Sequence, residues 1–393
     1  MRLLSLLVLL SIPGFASAET KFSGYLKSYA VIQDEISNDL FQADTIYQSQ
    51  NSGRFMLESF TENMVFQLHY EVSPVYVSQS IGAQSPSFNI VGDSYRLTDI
   101  DTSLTDDNTE KNQIYQNLDR LNMQVRLDGG DLTIGRQAIS FGAARLINPT
   151  DVFLPFDVQT FNTEYRTGVD AVRFQRPWGE LGEVDVGVVL GKDAKQASSA
   201  AFVQIRNNYQ GKDFNFAIIE FAEQTLIGAG VQSELGAMGF WFESAYVDGD
   251  VDYLRTSTGL DYAFTENVFG MIEYHYNGAG SSDPDDYLAL FATTPYQRGG
   301  VFLLGKNYLM PSLTAQASPL LYLGAQAIMN LDDNSAFVSF SAEYNIAENF
   351  YMDFGVYIFI GDDLTVAPFP IPRFGSEYGA NPNTLFTSLR WYF

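Results

Sequence analysis

Arginine and carboxylate side chains are the residues of this sequence best suited to bind a solute. Seven of the 22 basic residues fall between positions 120 and 176, and all seven are arginine. A guanidinium group offers fixed paired donors to a carboxylate, so a row of them could bind or conduct anions. With nearby acids they give the candidate channel-lining and solute-binding residues, which are Arg120, Arg126, Arg136, Arg145, Arg166, Arg173, Asp151, Asp157, Glu273 and Glu343.

The two histidines, His69 and His275, are the candidates for acid–base catalysis. Glu71 and Ser73 share a face with His69, but neither histidine lies in a recognisable nucleophile motif. We therefore expect the protein not to be an enzyme, with a hydrolase as the alternative.

Clustered aspartates are the candidates for metal binding, and they occur at 248–252 and 283–286. Their spacing lacks the full EF-hand pattern, so solvent-exposed acidic turns are the favoured interpretation. We expect no cofactor and no metal ion.

Charge and composition narrow the class of protein. The formal net charge of the 393 residues is -25, which disfavours nucleic acid as a partner. Cysteine is absent, so stability must come from backbone pairing and packing. Residues 1–18 have the pattern of a secretory signal peptide cleaved after Ala18, which leaves 19–393 as the second domain.

The whole chain has a mean hydropathy of -0.06, and no segment after residue 18 approaches the ~20 apolar residues of a membrane helix. A closed β-barrel is the other way to span lipid, and its strands are apolar only on alternate residues. Segment 118–128 alternates in this way. Its apolar face is Leu121, Met123, Val125 and Leu127, and its polar face is Arg120, Asn122, Gln124 and Arg126.

Connection lengths distinguish a barrel from a water-soluble sandwich, which would alternate equally well. Similar tight turns occur at 60–63, 264–267 and 346–349, whereas long polar stretches occur at 34–51, 78–114, 141–167, 278–297 and 361–383. The pattern predicts an all-β transmembrane antiparallel barrel of about 18 strands, or 16 as the alternative, with short periplasmic turns and long external loops. The predicted fourteenth strand is 298–309.

The segment 384–393 is predicted to be the last strand. Leu385, Leu389 and Trp391 would face lipid, and Ser388 and Arg390 would face the lumen. Pairing with the first strand near 22–32 would remove both sheet edges. The terminal Phe393 resembles the signal by which bacterial outer-membrane proteins are recognised, and this resemblance implies the barrel assembly machinery as a partner.

Two further aromatic residues, Trp178 and Trp241, are predicted to lie with Trp391 in an interfacial girdle at the periplasmic end.

A second resemblance lies at 132–156. The runs Gly135-Arg136-Gln137 and Asn148-Pro149-Thr150-Asp151 are similar to a stretch in outer-membrane barrels of the alginate-export family, including porin-like relatives. This resemblance implies an 18-stranded barrel with a positively charged conduit for an anionic polymer.

The loop at 141–167 contains phenylalanines and prolines, which favour folding into the lumen as a constriction; an external lid is the alternative. Alternation turns Arg120, Arg126 and Arg173 inward on strands 4 and 6, while Arg136 is ambiguous. Inward acids concentrate on the opposite side of the ring, at Asp261, Glu273, Glu343 and Asp353.

One wall would therefore be basic and the facing wall acidic. The alternative is that the arginines neutralise neighbouring lumenal acids such as Glu58, Glu71 and Asp185.

These observations predict a porin-type channel of the cell outer membrane for passive diffusion of small hydrophilic solutes, with anionic solutes as one option. The second interpretation is a dedicated export or uptake pore for an acidic polysaccharide, and the third is an outer-membrane hydrolase or adhesin barrel. The expected surroundings are outer-membrane lipid and lipopolysaccharide.

Overall fold

The computed structural model describes residues 19–38, 42–79, 95–98, 104, 111–153, 164–366 and 372–393. Residues 1–18, predicted to be the signal peptide, lie outside the described residues, and so does the candidate residue Asp157.

Eighteen strands form one antiparallel sheet. They are β1 (Glu19–Gln33), β2 (Ile46–Phe60), β3 (Met64–Val77), β4 (Asn112–Leu127), β5 (Gly130–Gln137), β6 (Val169–Trp178), β7 (Gly182–Leu190), β8 (Ala200–Tyr209), β9 (Lys212–Phe221), β10 (Gln224–Leu235), β11 (Met238–Asp248), β12 (Tyr253–Ala263), β13 (Val268–Asn277), β14 (Asn307–Ser318), β15 (Leu321–Asn330), β16 (Ala336–Ala347), β17 (Phe350–Ile360) and β18 (Thr384–Tyr392).

The sheet closes on itself. Each strand pairs with its neighbours in the chain, and β1 also pairs with β18 in a register that runs from Tyr25 opposite Tyr392 to Gln33 opposite Thr384. Closure leaves no unpaired edge. The predicted barrel of 18 strands is therefore confirmed.

The two ends of the barrel differ. All the connections at one end, which we call the turn end, are short, and they include the predicted turns after β2, β12 and β16. The five longest connections leave the other end, which we call the loop end. Two short helices, α1 (Tyr287–Leu290) and α2 (Thr294–Arg298), lie in the connection from β13 to β14. No helix in the described part of the chain is long and apolar enough to cross a membrane.

Alternation sorts the side chains of each strand to two faces. On β4, Leu121 and Met123 are 39% and 40% exposed on the outer face, whereas Asn122 between them is buried on the inner face. A bulge opposite His69 and Tyr70 leaves Asp119 without a partner residue in β3. Both Asp119 and the following Arg120 are buried as a result, which concentrates charge at one point of the inner wall.

One predicted strand is wrong. Segment 298–309 was expected to be the fourteenth strand, but the strand is Asn307–Ser318. Apolar residues before it, including Val301 and Leu303, are buried in a connection that packs against the inner wall. The real strand was missed because Pro311 interrupts it and its second half is polar.

The predicted tryptophan girdle is correct for two of its three members. Trp178 and Trp391 are 53% and 46% exposed on the outer surface near the turn end. Trp241 is 1% exposed and faces inward, where its indole N–H donates to Glu273 at 2.7 Å. The indole is buried because it has this partner.

Candidate functional site

The connection from β5 to β6 enters the barrel. We call its described first part, residues 138–153, the inner loop. Glu243 on β11 is fully buried and lies on the face opposite the outward Phe242. Its carboxylate accepts hydrogen bonds from the backbone N–H groups of Ala143, Ala144 and Thr150, and from the Thr150 hydroxyl at 2.6 Å. The inner loop therefore lies against the inner wall of the barrel.

A second carboxylate holds the next residues of the inner loop. Glu273 on β13 is also fully buried. It accepts from the backbone N–H groups of Arg145, Leu146 and Ile147 at 3.0, 3.2 and 2.9 Å. These bonds, with the one from Trp241, satisfy a charge that would be costly to bury without partners.

Apolar contacts hold the other side of the inner loop. Phe141 and Phe153 pack on Phe202 of β8, with ring centroids 5.0 and 6.4 Å apart, and Tyr95 packs on Phe153 at 4.9 Å. These rings belong to a buried cluster that covers the loop-end half of the inner wall from β6 to β12. The described part of the predicted constriction loop thus fills lumen rather than covering the mouth from outside.

The inner loop ends at a buried ion pair. Asp151 is 2% exposed and its carboxylate accepts from the guanidinium group of Arg166, which follows the undescribed segment. Burial raises the pKa of the Asp151 carboxyl to about 6. The guanidinium of Arg255 from β12 also faces this carboxylate and opposes that rise in pKa.

A third buried carboxylate joins the remaining long connections. Glu377 lies between β17 and β18 and accepts from the backbone N–H of Leu304 at 2.9 Å, the hydroxyl of Tyr308 at 2.5 Å and the amide of Asn330 at 2.8 Å. Burial raises the pKa of Glu377 to about 7. The connections before β14 and before β18 are thereby tied to each other and to the inner wall.

Charged side chains line the remaining part of the inner wall, from β16 through β18 and β1 to β4. We call this part the ionic wall. Its cations are Arg390, Lys27, Arg54 and Arg120, and its anions are Glu343, Asp353, Glu164, Glu71 and Asp119. Each cation has an acidic partner, as in Arg390 with Asp353 at 2.6 Å, Arg54 with Glu71 at 3.2 Å and Arg120 with Asp119 at 2.8 Å.

The structure separates several of the predicted site residues. Arg120 lies in the ionic wall, but Arg126 is at the turn end, 70% exposed and 4.0 Å from Asp131. Arg173 makes a paired contact with Asp185 on the neighbouring strand β7, at 2.5 and 2.9 Å. This pairing of arginines with adjacent acids matches the alternative that the sequence left open.

The other predicted residues in the described part of the chain have structural partners as well. Arg136 donates to Asp170 at 2.7 and 2.9 Å at the loop end of β5, beneath residues 95–98. Arg145 is half exposed beside Asp261, at 3.6 Å. Glu273 anchors the inner loop, and Glu343 accepts from Arg390.

Sequence reasoning missed Lys27 and Arg54 as members of this wall. The signal was available for both, because Lys27 alternates with Leu26 and Arg54 alternates with Phe55, each of which is exposed on the outer face. Arg390 was placed correctly toward the lumen.

His275 is the second candidate for acid–base catalysis in the hydrolase alternative. His275 Nδ1 lies 2.8 Å from the hydroxyl of Ser257 on β12. The same hydroxyl donates to the carbonyl of Ile147 at 2.6 Å, and both side chains are buried beneath the inner loop. The pair fixes the loop and has no surface open to a substrate. Among the described residues, no group of three or more His, Cys, Asp or Glu side chains could hold a metal ion.

Comparison with known proteins places this geometry in a known fold. No protein-family model and no curated protein matches the chain. The chain is similar to the crystal structure of Acinetobacter baumannii OccAB4, with 10% identity and a TM-score of 0.56 over 95% of this chain and 98% of that one. The two chains share a fold.

Two further solved structures are similar to this chain over most of their length. OccAB3 from Acinetobacter baumannii has 12% identity and a TM-score of 0.56 over 95% of this chain and 99% of that one. The outer membrane protein OprD from Pseudomonas aeruginosa has 10% identity and a TM-score of 0.53 over 95% and 93%. At such identities the likeness concerns the barrel, and the ionic wall is described from this chain alone.

Proposed function

We propose that this protein is an outer-membrane channel through which small hydrophilic solutes, in particular carboxylated ones, diffuse passively. The observation that carries the proposal is the division of the barrel interior. Buried carboxylates bind loop backbone along β11 to β15, while the charged side chains of the ionic wall line β16 to β4. A solute would pass between the loops and the ionic wall.

The outer surface supports a position in lipid. Large apolar side chains are exposed on alternate residues around the barrel, for example Phe216 at 40%, Ile272 at 42% and Leu389 at 44%. Such a surface is stable in hydrocarbon and would aggregate in water. By analogy with bacterial barrels, the turn end would face the periplasm and the loop end would face outward.

The ionic wall suggests how a carboxylate would move. Arg390, Lys27 and Arg54 lie on the adjacent strands β18, β1 and β2, and Arg120 lies on β4, with β3 between β2 and β4. A carboxylate could therefore pass from one cation to the next without returning fully to water. Each cation keeps an acidic partner, which limits how tightly it holds the solute. The net charge of -25 would attract cations to the mouths, so the wall would act locally on anions.

An acidic polysaccharide is the second candidate substrate. The row of cations favours it, since a polyanion could contact several of them at once, and the sequence resemblance to alginate-export barrels implies the same ligand class. Block that strengthens steeply with the chain length of oligouronates would support this candidate, whereas block that depends only on the first sugar would support small solutes.

Planar-bilayer recording tests the proposal. We expect stable single channels in KCl, and we expect glucuronate to reduce the current at concentrations where glucose does not. Protein that folds and inserts yet conducts no ions would contradict the proposal. Replacing Arg120, the one of the three predicted arginines that lies in the ionic wall, by alanine is expected to shift the reversal potential toward cation preference, and an unchanged potential would remove this residue from the solute path.

A further inference from the structure

The end of the β5–β6 connection lies directly on the ionic wall. Glu164 Oε2 is 2.6 Å from the ammonium group of Lys27 and accepts from the hydroxyl of Tyr392 at 2.9 Å. The Lys27 ammonium also lies 4.0 Å above the ring of Tyr25. We call Lys27, Tyr392 and Tyr25 the carboxylate cradle, because the Lys27 cation and the Tyr392 hydroxyl converge there on one carboxylate oxygen while the ring of Tyr25 packs against the cation.

The cradle and its occupant belong to different parts of the molecule. Lys27 and Tyr392 lie on β1 and β18, which are paired by the closure of the barrel, and the Lys27 side chain is only 2% exposed. Glu164 belongs to a long connection, and its side chain is 37% exposed. The receptor is therefore rigid and buried, whereas the carboxylate that fills it is open to the lumen.

The next two residues follow the same wall. The ring of Tyr165 lies 4.2 Å from the guanidinium carbon of Arg54, and the carbonyl of Arg166 accepts from Arg120 at 2.6 Å. Residues 164–166 thus cover three of the four cations of the ionic wall, and only at Lys27 does the covering group carry a negative charge.

We propose that Glu164 is a tethered carboxylate that occupies a solute-binding cradle formed by Lys27, Tyr392 and Tyr25, and that a carboxylated solute enters by displacing it. The inference rests on the proposed channel function and adds a binding site and a gating residue to it. The ligand class is a small hydroxylated carboxylate, whose hydroxyl groups can remain in the polar lumen.

The exchange is nearly balanced in free energy. Before and after it, the Lys27 ammonium and the Tyr392 hydroxyl each donate to a carboxylate, so no buried donor is left unsatisfied. A carboxylate that belongs to the same chain as its binding site competes at an effective concentration on the order of millimolar. Free carboxylates should therefore compete with Glu164 only at millimolar concentrations, which would keep the path closed to scarce anions.

Neutralising the tethered group tests the proposal. In Glu164→Gln the cation loses its anionic partner but stays buried, so a free carboxylate should fill the cradle. We expect the concentration of glucuronate that halves the current to fall by at least about tenfold, the factor that corresponds to one charge-assisted hydrogen bond. Acetate should show the same change, and glucose should show none.

A matched control distinguishes the effect of emptying the cradle from the effect of removing one negative charge from the barrel interior. Glu183 on β7 has a similar exposure of 32% and pairs with Arg206 at 2.5 Å, outside the ionic wall. Glu183→Gln removes the same charge, so the same gain in block there would overturn the proposal. Lys27→Met combined with Glu164→Gln should abolish the gain, and Tyr392→Phe combined with Glu164→Gln should weaken block by glucuronate relative to Glu164→Gln alone.

The outcomes also separate this proposal from the channel function. A wild-type protein that does not conduct would contradict the proposed function. A wild-type channel that glucuronate blocks, together with a Glu164→Gln channel blocked at the same concentration, would leave the function standing and overturn the tethered gate. Heat-modifiable migration of each variant on gels verifies that the barrel has folded.

Discussion

Charged residues of the ionic wall occur in pairs, and Asp119 is an acid that serves two arginines at once. Its carboxylate accepts from the guanidinium groups of Arg54 and Arg120 and from the backbone N–H of Gly168. Alternation in the sequence was enough to turn Arg120 inward. It could not supply the partners, because Asp119 is brought to the inner face by a bulge whose position depends on pairing with β3.

This arrangement makes Arg54 a stability residue. In Arg54→Met the buried carboxylate of Asp119 loses one of its two cations, and we expect the free energy of unfolding in detergent to fall by about 3 kcal/mol. Arg126→Met removes a cation that is 70% exposed and only 4.0 Å from its partner, and the change there should be below about 1 kcal/mol. Urea titration of both variants measures the difference, and equal losses would show that Asp119 does not depend on Arg54.

At the scale of elements, strands were more predictable than connections. Alternation and turn spacing located the strands because every membrane strand must separate an apolar from a polar face. The prediction of the fourteenth strand was wrong for two reasons. Pro311 has no backbone N–H to donate within the real strand, and the apolar residues Val301 and Leu303 gave a strand-like pattern to a connection. Glu273 was predicted to face inward, but its role was hidden, since its partners are backbone N–H groups that carry no sequence signal.

The inner loop should be released when its two carboxylate anchors are neutralised. In the double variant Glu243→Gln and Glu273→Gln, an amide NH₂ group replaces an acceptor in each cluster of N–H donors. The free energy that holds the inner loop against the wall should fall by about 2 kcal/mol for each charge-assisted hydrogen bond that is not replaced. We expect a larger and noisier single-channel conductance. Glu234→Gln, an exposed position on β10, is the control, and conductance equal to wild type in the double variant would contradict the anchoring role.

Low pH should stabilise the contacts of Glu377 with Leu304, Tyr308 and Asn330, which we call the Glu377 junction. Its pKa is raised from 4.5 to about 7, so the assembled junction holds a proton that the separated loops release. The stability of the junction therefore falls as pH rises from about 4.5 to about 7, by up to about 1.4 kcal/mol per pH unit. Below and above this range the stability does not change with pH. The carboxylate of Asp333, which shares the Asn330 amide with Glu377, faces the same junction.

Hydrogen exchange at residues 299–305, compared between wild type and Glu377→Gln at each pH, measures this effect. The ratio of wild-type to variant exchange rates should rise up to pH 7 and then level off. Asp151, with a pKa of about 6, also makes stability fall as pH rises, but over a lower pH range. Because both proteins contain Asp151, its effect cancels in the ratio. A constant ratio from pH 5 to 8 would contradict the prediction.

The whole molecule is polarised along the barrel axis and around its circumference. Along the axis, short turns occupy one end and the long connections occupy the other. Around the circumference, buried apolar clusters that include residues of the connections cover the inner wall from β6 to β16, whereas the ion pairs of the ionic wall lie on either side of the seam between β18 and β1. In the proposed channel, the path for solutes would therefore follow the strands that close the barrel.

Axial polarity predicts the accessibility of the two ends in cells. Single cysteines at Asn63, Asn267 and Asn349, all in connections of the turn end, should resist an impermeant thiol reagent on intact cells. A cysteine at Asp285, half exposed at the loop end, should react. All four should react after lysis, and labelling of the turn-end positions from outside would reverse the orientation.

The seam should make Phe393 more important than other lipid-facing phenylalanines. Its backbone exchanges two hydrogen bonds with Gly24, at 2.9 and 3.0 Å, and so extends the pairing of β18 with β1. Its ring lies 5.8 Å from Phe22, 6.3 Å from Phe55 and 5.2 Å from Trp391, which joins β18, β1 and β2 on the outer surface.

The seam pairs the first and the last of the eighteen strands, so its contacts join residues that are far apart in sequence. In Phe393→Ala the three ring contacts are lost, and we expect about 2 to 3 kcal/mol of lost stability, since each aromatic pair contributes roughly 0.5 to 1.5 kcal/mol beyond its buried area. Phe216→Ala removes a ring that is 40% exposed in the middle of β9 and is the matched control. The temperature at which the compact band disappears on gels should fall clearly for Phe393→Ala and much less for Phe216→Ala. Equal temperatures for the two variants would mean that backbone pairing alone closes the barrel.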